Sequence, residues 1–108
     1  MSGRGGGGGG GGDPDPETPC DRLRFSAQLT SPQPQVVATL SVGEVLDIAT
    51  ASMRGQVVVQ VLKHGQVAGG LTGPEASSLR RCMDEGHDYN ATVQSVNGGQ
   101  VRVRVEHA

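Results

Sequence analysis

Residues 56–75 read Gln56-Val57-Val58-Val59-Gln60-Val61-Leu62-Lys63-His64-Gly65-Gln66-Val67-Ala68-Gly69-Gly70-Leu71-Thr72-Gly73-Pro74-Glu75. The first sixteen form two apolar runs around Lys63-His64-Gly65, the pattern of a β-hairpin whose turn needs glycine. Gly69-Gly70 inside the second run predicts a bulge or the close approach of another backbone. Thr72-Gly73-Pro74-Glu75 then changes the period: a threonine cap, a glutamate three residues on and a proline in the first turn open a helix. Ala76, Leu79, Cys82 and Met83 recur at three- and four-residue spacing, and Gly86 stops the helix after about three turns.

Upstream, Leu23, Phe25, Ala27 and Leu29 alternate with Arg22, Arg24, Ser26 and Gln28, a half-buried strand. Ser31-Pro32-Gln33-Pro34 ends it, since neither proline can donate to a ladder. Val36–Leu40 is a short apolar run that fits a strand or a crossing segment. Val45–Ala49 is a further strand, leading to a turn at Met53-Arg54-Gly55. Downstream, Tyr89–Val96 and Gln100–Glu106 make a hairpin around Asn97-Gly98-Gly99. The order is β-β-β-β-α-β-β. It predicts a β-rich α+β domain: a small half-open barrel of about six strands with one helix over an opening.

The chain of 108 residues divides at about residue 19. Residues 1–19 carry an unbroken glycine run, Gly5 to Gly12, then an acidic and proline-rich stretch. They read as a disordered leader, because glycine loses most entropy on ordering and no apolar area offsets it. Residues 20–108 are the small β-barrel domain. The leader formally contains G-x-G-x-x-G, as any glycine run does, without the flanking strand and helix that phosphate binding requires. The leader carries Arg4 against Asp13, Asp15 and Glu17, while the body balances eight bases against eight acids. A neutral body gives no bulk pull on nucleic acid or anionic lipid.

The absence of a signal-like apolar start and of any run near the ~20 residues of a membrane helix points to a soluble, cytoplasmic protein. In that compartment Cys20 and Cys82 are expected as free thiols, with Cys82 in the core. His64, His87 and His107 show no metal-ligand spacing with each other or with the cysteines and read as solvated turn residues. His87 beside Asp88 is the one proton-transfer pair, and nothing in the sequence supplies it with a nucleophile. No catalytic residue, metal ligand, cofactor or small-molecule ligand is assigned, and the chain is read as a non-enzyme.

The arginines are the remaining candidates. Arg102 and Arg104 alternate with valines, as Arg22 and Arg24 do with Leu23 and Phe25. If the first and last strands are neighbours, the four form one stripe for a phosphate or an acidic partner. The bland alternative is that they keep an edge soluble and unpaired. Only Phe25 and Tyr89 are aromatic, too few for a base-stacking platform.

Val42-Gly43-Glu44-Val45-Leu46, Val57-Val58-Val59, the Gly65–Leu71 run, the helix carrying Ala76 and Leu79, Gly86 and Ala91-Thr92-Val93 together resemble HIRAN domains over about residues 23–105. Those are small OB-like barrels of DNA-repair helicases and of bacterial mobile or phage-related contexts, some of which bind single-stranded DNA ends. The resemblance implies the barrel. It does not carry over the DNA-end pocket, because the family's Asn-Pro-Tyr/His-Asp-like run is replaced here by Ala51-Ser52-Met53-Arg54-Gly55-Gln56. The sequence also resembles small bacterial proteins with polyglycine leaders. The expected function is a non-catalytic binding or adaptor module contacting a protein partner through the barrel surface or an edge strand. The alternative is a weak single-stranded nucleic-acid-binding module using the arginine stripe.

Overall fold

The structure is a computed structural model and describes residues 18–108. All but the last two residues of the expected leader lie outside the described residues. A 3-10 turn, Cys20–Arg22, leads into β1 (Phe25–Gln28), α1 (Pro34–Val37), β2 (Val45–Met53), β3 (Gln56–Lys63), β4 (Gln66–Leu71), α2 (Pro74–Asp84), β5 (Tyr89–Asn97) and β6 (Gln100–His107). The six strands form one sheet in the order β1-β6-β5-β2-β3-β4, and every pairing is antiparallel. No described helix is long and apolar enough to cross a membrane.

The strand alternation matches the burial. Leu23, Phe25 and Leu29 are buried in the first strand region, and Val101, Val103 and Val105 in the last, while Arg102 and Arg104 point outward. The tight hairpin turns are built from residues in the left-handed region: Arg54-Gly55, His64-Gly65 and Gly98-Gly99. Their twist matches that of the strands they join.

The sheet is not closed into the barrel expected. Its two edges, β1 and β4, share no ladder; they touch at one bridge, where Thr30 and Gly70 exchange hydrogen bonds of 2.9 and 2.8 Å. Gln33 adds one more bond, donating its N–H to the Ala68 carbonyl at 2.9 Å. Gly69 and Gly70 permit this approach. A Cβ on Gly69 would stand 2.9 Å from Leu29 Cβ and 3.0 Å from the Thr30 oxygen. The register also shifts beside them, between Val61 and Leu62, so both expectations for the glycine pair hold.

Two local expectations are corrected. The Val36–Leu40 run contains no strand; Pro34 at the first helical position starts the one-turn α1, which buries Val36 and Val37. The cap of α2 is Gly73, at φ 91°, and no side chain bonds the free amides, so Thr72 does not cap it. The face of α2 is as the spacing required: Ala76, Leu79 and Cys82 are buried, and Gly86 at φ 102° follows its end. They join the sheet's inward residues in one aliphatic core, and no polar or charged residue is fully buried among the described residues.

Cys20 and Cys82 are joined by a disulfide with a Cα–Cα distance of 5.5 Å. The expectation of two free thiols is therefore overturned. It rested on compartment, whereas the fold places the turn before β1 against the last turn of α2.

Candidate functional site

β1 and β6 are neighbours, as the arginine stripe required, with Ser26 opposite Arg104 and Gln28 opposite Arg102. Arg24 continues the outward set of β1, and all four arginines are exposed. Glu106 interrupts the stripe. Its carboxylate lies 3.5 Å from Arg104 and 3.9 Å from Arg24, and so offsets part of their charge. Arg22 sits in the 3-10 turn, where strand alternation no longer applies, and with Asp21, Arg24, Glu106 and His107 it borders a hollow of about 430 Å³.

A second place was not foreseen. β4 pairs with β3 only from Val59 onward, because Gly73-Pro74 turns the chain away into α2 after Leu71. On the far side, β2 loses its β5 partner after Asp47. The β2–β3 hairpin therefore runs past the sheet as a two-stranded arm. Its end carries the large apolar side chains Met53 and Val57, 52% and 48% exposed. No lysine or proline stands between Ile48 and Val58, and the one charge there, Arg54, sits in the turn and not along the edge of β3. Beside the arm, in line with the end of β4, lies an open cleft of about 600 Å³. Met53, Val57, Val59, Leu71, Ala76 and Arg80 are among its walls. Arg80 Nη1 reaches the Val57 carbonyl at 3.5 Å. That carbonyl thus faces the cleft, and the N–H of the same strand residue faces with it.

The third place is the C-terminal end of α2. Burial pushes the Tyr89 phenol above its usual range. The protonated hydroxyl donates to the Cys20 carbonyl at 2.6 Å. His87 Nδ1 lies 3.0 Å from His107 Nε2. Cys20, Glu85 and His87 bring one ligand-type atom each within 4.8 Å of one another. These residues meet at the surface, and neither hollow described above is lined by Cys82, Glu85 or His87. His64 is apart, exposed in the β3–β4 turn, and Asp88 is exposed on the other side of His87 in sequence.

The sequence held faint signals for both unforeseen places. The apolar run of β3 continues beyond the length its hairpin partner can cover, and Gly73-Pro74 marks where the partner must stop. Cys82, Glu85 and His87 fall within six residues of one another, around the stop that Gly86 marks at the end of α2.

Comparisons with protein-family models, with curated proteins and with solved structures found no match to this chain. The small antiparallel sheet carries nothing specific to HIRAN domains.

Proposed function

We propose that this protein is a non-catalytic binding module that receives an extended segment of a protein partner along the uncovered edge of β3. One observation carries this reading: β4 ends opposite Val59, so Gln56, Val57 and Val58, paired with β2 on one side, have no strand on the other, where Val57 and Val58 border an apolar cleft. A partner strand entering there continues the line of β4, gains main-chain hydrogen bonds from Val57 and covers Met53 and Val57. Three residues of strand span roughly 10 Å. Arg80 at the rim favours an acidic side chain in the partner.

The test is selection from a displayed library of random peptides on the purified full chain. Extended peptides with alternating apolar residues should be enriched. Val57→Asp, a change at a half-exposed position, should weaken them by tenfold or more, and Val57→Pro should do the same by removing the outward N–H. No enrichment, or equal binding by both variants, overturns the reading.

The neighbouring placement of β1 and β6 favours one other reading, the weak single-stranded nucleic-acid module. Arg24, Arg102 and Arg104 would contact phosphates, with Arg22 alongside. It predicts salt-sensitive anisotropy changes on an oligonucleotide, reduced by Arg102→Ala with Arg104→Ala and indifferent to Val57→Asp. No change at low salt disposes of it.

A further inference from the structure

We infer that reduction of the Cys20–Cys82 disulfide creates a binding site for a borderline-soft divalent cation of the Zn²⁺ class, with Cys20, Cys82, Glu85 and His87 as ligands. Two thiolates, an imidazole and a carboxylate are a donor set that tetrahedral zinc accepts. The placement fits. Glu85 Oε1 is 3.8 Å from Cys20 Sγ. Sulfur and oxygen sharing one tetrahedral zinc stand about 3.6 Å apart, given bonds of ~2.3 and ~2.1 Å.

The backbone holds these groups together without the S–S bond. The amides of Glu85 and His87 both donate to the Cys82 carbonyl, each at 3.1 Å, so three of the four ligands hang on one helix terminus. The Cys20 carbonyl is held by the Tyr89 hydroxyl at 2.6 Å. The other Glu85 oxygen, Oε2, faces Arg81 Nη1 at 3.8 Å, which leaves Oε1 turned toward the sulfur. His107 meets the His87 ring at 3.0 Å and would orient it as an outer partner. The disulfide and the metal are alternatives, because a disulfide sulfur carries no thiolate charge to bind with. A phosphine reductant supplies the two electrons and becomes the phosphine oxide with water's oxygen. Water's two protons go to the two sulfurs, and the metal then displaces them.

The experiment uses the full chain, oxidised or reduced with a phosphine, titrated anaerobically with Co²⁺ and then Zn²⁺. The reduced protein should develop a thiolate-to-cobalt charge-transfer band and intense tetrahedral d–d bands at one Co²⁺ per chain, bleached by one Zn²⁺. The oxidised protein should show neither. His87→Ala and Glu85→Gln should weaken Co²⁺ binding by at least about tenfold, and His107→Ala by a comparable factor through the outer shell. His64→Ala should leave it unchanged. Circular dichroism accompanies each titration: if the reduced chain unfolds without metal, Zn²⁺ must restore the β spectrum. Absence of the charge-transfer band, failure of that restoration, or full-strength binding by the His87 and Glu85 variants overturns the assignment.

Discussion

At Gly69 the fold depends on a missing side chain. The strand crosses so close to Leu29 and Thr30 that a methyl group there would stand 2.9 Å from a carbon that cannot retreat without moving β1. Gly69→Ala should therefore cost about 1–3 kcal/mol, as overpacking does, readable as a lower denaturant midpoint at unchanged slope. Leu79 makes the opposite case. Fully buried on α2, it leaves a cavity when truncated, and Leu79→Ala should cost about 2–5 kcal/mol. Glu44 adds a pH dependence. Lys63 Nζ lies 3.0 Å from its carboxylate, and that bond, with the Ser41 amide at 3.1 Å, holds its pKa below the usual carboxylate range. A depressed carboxylate contributes stability that is present above its unfolded pKa, about 4.3, and lost as pH falls through the folded value. Glu44→Gln should flatten that acid-side loss in urea titrations between neutral pH and pH 3, while leaving the other carboxylates' slope.

Among the elements, the β2–β3 arm is the one whose residues the rest of the sheet does not hold. Only one ladder supports its outer part, and its tip buries little apolar surface. Amide exchange should consequently be faster at Thr50–Val58 than at Val101–Val105, which lie between two paired strands. Equal protection would mean that something covers the arm, as in a self-associated state. The strands themselves were legible in the sequence, since alternation and the glycine-bearing turns are local properties of the backbone. The arm was not, because an uncovered edge depends on which strands pair and where each pairing ends. For the same reason Arg24, Arg102 and Arg104 could be set on one face only by supposing that β1 and β6 were neighbours. Glu106 was visible as a residue, yet its position between two of those arginines was not. The α1 turn escaped because four apolar residues fit a strand and a helix equally well.

For the molecule as a whole, the decisive feature is the link that the sequence left unpaired. Two cysteines 62 residues apart carry no pairing information, and the reading of the chain as cytoplasmic argued against a bond. The bond ties the segment entering edge strand β1 to the far end of α2, across a sheet whose edges meet at one bridge. A small aliphatic core with two aromatics leaves little margin, so that tie should matter to global stability. Closing a loop of this length removes about 4 kcal/mol of unfolded-state freedom in the chain-entropy treatment. Reduction, or Cys20→Ser, should then lower Tm by roughly 15 °C or more by calorimetry. The two perturbations differ in one respect: Zn²⁺ should recover part of the loss in the reduced protein and much less in the serine variant, which lacks one thiolate. If reduction leaves Tm where it was, the curled sheet and α2 hold each other without help, and the cysteine pair is dispensable to the fold.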